Sequence, residues 1–105
     1  MYPFTFEAAV QEDFNPVVAT PLYVFVPKDI ARQLPSARDR IVRLMGELEG
    51  ASFLAPLEYK SDKPVIPVSQ EMIQKAGLLP GDFVELEFAV VGQTLTPQVA
   101  NVVAT

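Results

Sequence analysis

The chain has no cysteine, no histidine and no tryptophan among its 105 residues. Without cysteine there are no disulfides, and no thiolate to act as ligand or nucleophile. Without histidine, the commonest metal ligand and the commonest acid–base group near neutral pH are both missing. Ser36, Ser52, Ser61 and Ser69 therefore have no imidazole to activate them. No apolar run is long enough to span a bilayer. The start, Met1-Tyr2-Pro3-Phe4, lacks the basic and then apolar pattern of a secretion signal, and a cytoplasmic location is expected. Basic charge is scarce: 8 Lys and Arg stand against 13 Asp and Glu, a net charge of −5. That balance argues against broad nucleic-acid affinity, which depends on cations facing phosphates.

Half of the chain is hydrophobic, enough for one small core. Tyr2–Val10 alternates, with Phe4, Phe6, Ala8 and Val10 on one face, and reads as a half-buried strand. Gln11–Pro16 reads as a loop. In Leu22–Val26 both faces are apolar, which predicts a strand covered on both sides, with pairing interrupted at Pro21. Pro27 ends it and opens a short helix over Lys28–Leu34, stopped by Pro35. Arg40–Glu49 alternates again, with Val42, Leu44, Gly46 and Leu48 on one face. Glu49-Gly50 predicts a tight hairpin to a partner strand over Ala51–Tyr59, and Lys60-Ser61-Asp62-Lys63 is a polar turn.

Val65–Phe88 carries the clearest local signals. A strand ends at Pro67, and Ser69 is placed to cap a helix whose apolar stripe is Val68, Met72, Ile73 and Ala76. Gly77 closes that helix in the left-handed region. Leu79-Pro80-Gly81-Asp82 fits a type II turn, with proline second and glycine third. A strand follows in which Val84, Leu86, Phe88 and Val90 alternate with Phe83, Glu85, Glu87 and Ala89. Strand–Pro27–helix–strand followed by strand–Pro67–helix–strand suggests one supersecondary unit used twice. Residues 1–90 form the expected domain, and 91–105 an extension that is a terminal strand or an arm docked on a partner.

Ile66-Pro67, the helix ending Ala76-Gly77-Leu78 and the Pro80–Leu86 run resemble the looped-hinge module of AbrB- and MazE-type regulators. In length and order the chain more closely resembles the bacterial domain-of-unknown-function family 1905, over roughly Phe4–Val90. The residues that carry this are Val26-Pro27-Lys28, the Arg43–Phe53 hairpin, the Pro67 helix and the Gly81-Asp82 turn. The resemblance implies a double-split β-barrel, mainly β with two short helices, and almost nothing about function. The chain departs from the family in lacking its tryptophan and in having a second helix, Ser69–Lys75, that is not basic.

Chemistry-bearing residues are few. Lys28, Arg32, Arg38, Arg40 and Arg43 put five of the 8 basic residues in one segment, opposed there only by Asp29 and Asp39. The segment carries +3 and the rest of the chain −8. It is the candidate anion- or partner-binding element. The acidic pairs Glu47/Glu49 and Glu85/Glu87 stand in strand alternation and read as a solvated face. No catalytic, cofactor-binding or metal-ligating residue is predicted, and no cofactor. Pro67, Ser69, Gly77, Pro80, Gly81 and Asp82 are read as structural. The reading is a binding or assembly module, with a homodimer as the expected assembly. One alternative is a DNA-binding regulator using residues 28–43. Another is an enzyme with a buried lysine or carboxylate, or a small-ligand binder whose pocket is lined by Tyr23, Phe25, Phe53, Tyr59 and Phe83.

Overall fold

The computed structural model describes residues 2–13 and 22–91. Among the described residues, eight strands and two helices follow one another. The first group is β1 (Phe4–Ala9), β2 (Gln11–Glu12), β3 (Leu22–Phe25), α1 (Lys28–Ala31) and β4 (Arg43–Leu48). The second is β5 (Ala51–Pro56), β6 (Glu58–Lys60), β7 (Lys63–Val68), α2 (Gln70–Ala76) and β8 (Phe83–Val90). They build two antiparallel sheets: sheet 1, in the order β1-β8-β4-β5, and sheet 2, in the order β2-β3-β7-β6.

Only Val10 separates β1 from β2, and only Leu57 separates β5 from β6. Each pair is thus one long strand that leaves sheet 1 and enters sheet 2. Counted this way, six strands close a circuit, β3–β7–β6/β5–β4–β8–β1/β2 and back to β3. Closure lets every inward side chain meet others across a small interior, while outward ones alternate with them. The interior is filled by Val24, Leu44, Leu48, Ile66, Val68, Leu86 and Phe88, each fully buried.

The two groups of elements are related by an internal two-fold. In sheet 2 the β3–β7 register pairs Leu22 with Val68, Tyr23 with Pro67, Val24 with Ile66 and Phe25 with Val65. In sheet 1, Gly46 faces Phe88, Glu47 faces Glu87 and Leu48 faces Leu86, and matching corners put the axis at Glu47–Glu87: the Val10 amide bonds to the Asp82 carbonyl and the Leu57 amide to the Val42 carbonyl, each at 2.8 Å. The flanking hairpins match as well, Phe6 opposite Leu86 and Phe53 opposite Gly46. The repeat expected from the prolines therefore exists and is longer than expected, since it includes β1/β2 and β5/β6. Its register also differs. Pro27 corresponds to Ser69, each the N-cap of its helix, rather than to Pro67.

Several expectations are corrected. Gln11-Glu12 is a strand, not a loop, because the long first strand continues to pair with Tyr23 and Leu22 after it changes sheets. Ala51–Tyr59 divides at Leu57, whose amide bonds to the Val42 carbonyl (2.8 Å) at the corner. Pro67 does not end its strand, for β7 runs on to Val68. The Pro64 carbonyl accepts from Val26, so residues 64, 66 and 68 face β3, and Pro67 faces the side where β6 has already ended at Glu58. A missing N–H costs nothing there. The strand covered on both sides is β7, with Val65–Val68 all buried; in β3, Tyr23 and Phe25 stay partly exposed. Helix α1 is one turn long, although Ile30 and Leu34 still pack on the core. The Pro21 position and the 92–105 segment lie outside the described residues.

The predicted punctuation is in place. Ser69 Oγ accepts from the Met72 amide (3.2 Å), and Gly77 takes φ 64°. Asp82 N–H donates to the Leu79 carbonyl (3.1 Å) across Gly81 at φ 93°, closing the type II turn. Glu49 and Gly50 both have positive φ, as a two-residue hairpin requires.

Candidate functional site

The outward face of sheet 1 is where the two halves of the repeat part company. On it, Glu7 of β1 lies opposite Glu85 of β8, and the Glu49 amide bonds to the Glu85 carbonyl (2.9 Å), giving a row Glu7–Glu85–Glu49. The internal two-fold carries that row onto Leu54–Met45–Ala89, in which Leu54 faces Met45 and Met45 faces Ala89. Three acidic positions on one half are three apolar positions on the other. Leu54 is 65% exposed and Met45 45%. Ile41 and Val91 are exposed at the same end of the face, where the Val91 amide bonds to the Arg43 carbonyl.

Beside the apolar row lies a groove of about 500 Å³, lined by Met45, Phe53 and Leu54 with Ser69, Glu71 and Met72 at the start of α2. It runs along the outer edge of β5. The Leu57–Val42 hydrogen bond fixes the alternation: residues 51, 53, 55 and 57 bond inward to β4, and the peptide groups of Ser52, Leu54 and Pro56 face outward. Among the described residues no strand pairs with β5 on that side. Pro56 loses nothing there, since it has no N–H to satisfy. The equivalent edge, β1, presents Thr5 and Glu7. A charged side chain guards β1 against further pairing, while on β5 the outward positions are Ser52, Leu54 and Pro56, with the start of α2 alongside.

Acidic charge collects on the other half of the face. A depression there is lined by Thr5, Glu47, Glu49, Gly50, Glu85 and Glu87. Glu49 has a structural task, its carboxylate accepting from the Glu85 amide at 2.7 Å. Among the described residues no group of three acidic side chains is arranged to hold a metal ion.

The basic segment is not one cluster. Arg38 and Arg40 share a shallow depression with Ser36 and Asp39. Arg38 is already engaged, 3.3 Å from Asp62 and 4.3 Å above the Tyr59 ring, and Arg40 bonds the Ser36 carbonyl. Lys28 and Arg32 are exposed on α1 and its C-cap, and Arg43 projects from β4 beside Pro56 of β5. The aromatic residues do not line a common pocket. Phe53 is buried in the core, and Tyr23 and Phe25 meet edge to face (5.4 Å, 88°) on sheet 2. Phe83 is 72% exposed on the outside of sheet 1.

Across sheet 2, Lys60 of β6 pairs with Asp13, just beyond β2, and its ammonium lies 5.1 Å from the Tyr23 ring centroid. The hydrogen bond to Asp13 is the largest cause holding the Lys60 pKa above its ordinary 10.5. This pair ties together the two edge strands of sheet 2.

Sequence reasoning did not single out Met45 and Leu54. The signal was present as apolar residues in the outward phase of otherwise alternating strands. Met45 follows Leu44, and Leu54 sits within Phe53-Leu54-Ala55. No family model matches the chain, and comparison with curated proteins finds no match.

Proposed function

We propose that the chain is a non-catalytic binding and assembly module whose working surface is the apolar half of the outer face of sheet 1, with the adjoining β5 edge and groove. The supporting observation is the divergence between equivalent rows, Glu7–Glu85–Glu49 against Leu54–Met45–Ala89. The same backbone frame tolerates glutamate at these positions, so packing does not require Leu54 and Met45 to be apolar. Side by side in water they gain nothing; contact with another apolar surface releases their hydration free energy. The likeness to domain-of-unknown-function family 1905 belongs to this proposal and carries a fold, not a reaction.

The repeat supplies an internal control. A photo-crosslinking amino acid placed at position 54, and separately at position 7, samples equivalent places on the two halves. In cells producing the full chain, discrete adducts are expected from position 54 and not from position 7. Adducts from both alike, or from position 7 alone, would remove the apolar half as the working surface.

A further inference from the structure

We propose that the occupant of the β5 edge is a second copy of this chain, its β5 pairing antiparallel about a two-fold axis at Leu54. This rests on the reading of the apolar half as the working surface, and specifies what that surface holds.

The first argument is the hydrogen-bond phase. The peptide groups that face outward are those of Ser52, Leu54 and Pro56. About an axis at Leu54, each Leu54 amide donates to the other Leu54 carbonyl, and each Ser52 amide donates to the other Pro56 carbonyl. Pro56 completes only half of its pair: its carbonyl accepts from Ser52, but it has no N–H for the Ser52 carbonyl, so the bonds are two at Leu54 and one at each end. The edge matches itself fully at Leu54 and by half at Ser52 and Pro56.

The second argument is the side-chain rows. Pairing at Leu54 joins Ala89–Met45–Leu54 of one copy to Leu54–Met45–Ala89 of the other, so the exposed apolar row becomes the centre of an eight-stranded sheet. The neighbouring row runs Glu47–Ser52 in one copy and continues as Pro56–Arg43 in the other, because Glu47 faces Ser52 and Arg43 faces Pro56 within each β4–β5 hairpin. Opposite charges thus share each flanking row. The Glu7–Glu85–Glu49 row lies at the far side, so the net charge of −5 does not set like faces against one another at the contact. The β1 edge has the same backbone phase but would bring Glu7 against its own copy, and this excludes it from the same use.

Sedimentation of the full chain over a concentration series from low to hundreds of micromolar tests this. The wild type is expected to pass from monomer to dimer and no further. Leu54→Lys, a change at an exposed position, places two ammonium groups together on the axis and is expected to weaken self-association about a hundredfold. Glu7→Lys, at the equivalent position on β1, is expected to leave it unchanged. A wild type that stays monomeric throughout, or a dimer indifferent to Leu54→Lys, overturns the proposal. If the chain is monomeric yet position 54 crosslinks a different protein, the working surface stands and the second copy is wrong. If neither occurs, both fall.

Discussion

Gly46 lies opposite Phe88 in the β4–β8 ladder, and a Cβ on residue 46 would come within 2.6 Å of the Phe88 Cα. Its partner in the repeat is Leu86, which is fully buried in the same interior. One half of the barrel therefore fills this level with a side chain, and the other lets the neighbouring backbone approach. The Phe88 ring takes part, stacking on Phe4 (5.2 Å) and meeting Phe6 edge-on (6.2 Å). Gly46→Ala forces backbone against backbone and is expected to destabilise the fold by about 3 kcal/mol. Denaturant unfolding measures this, and a change near zero would mean that β4 and β8 are not in this register.

The helix α2 is held by its ends more than by its length. Ser69→Ala removes the acceptor of the Met72 amide and should cost about 1 kcal/mol. Gly77→Ala puts a side chain at φ 64° and should cost about 1 kcal/mol as well. The two changes sit at opposite ends of the helix. Their effects in the double variant should add, which chemical unfolding of all three variants would check.

Glu47 and Glu87 face each other on the internal axis with like charge. Glu47→Gln is expected to raise stability by about 0.5 kcal/mol at low ionic strength. The gain should shrink as salt is added, because the repulsion it removes is screened. A gain insensitive to salt would point to a cause other than charge.

The Lys60–Asp13 pair makes a pH prediction with a definite sign. The Lys60 pKa is raised in the folded state, so folding binds its proton more tightly. The contribution is fully present below the ordinary value of 10.5 and is lost as pH climbs through the higher folded value. Lys60→Met should therefore be less stable than the wild type at neutral pH, and the difference should narrow only above about 10.5. Thermal unfolding of both proteins across the alkaline range gives the comparison.

Local chemistry made much of the fold legible. The Glu49-Gly50 hairpin, the Ser69 and Gly77 caps and the Pro80-Gly81 turn each follow from one or two residues with a conformational preference. The alternation in β4 and β8 gave the buried phase directly. What the sequence concealed was long-range. Ala51–Tyr59 is a continuous alternating run, and nothing in it marks Leu57 as the corner where the strand changes sheets. Pro67 reads as a stop because proline removes a donor, yet the donor it lacks points past the end of β6. The site was obscured for a similar reason. Leu54 and Glu7 are 47 positions apart with different chemistry, and only the pairing registers show that they occupy equivalent places. The basic residues of 28–43 lie on α1, its C-cap, the 36–40 loop and β4.

The most direct measurement is site-resolved amide hydrogen exchange at Ser52 and Leu54, set against Thr5 and Glu7, as protein concentration is raised. Both pairs have outward-facing amides on equivalent edges, so they should exchange alike when the chain is dilute. The account predicts that protection grows with concentration at Ser52 and Leu54 and stays constant at Thr5 and Glu7. Protection that rises equally on both edges, or on neither, would contradict it.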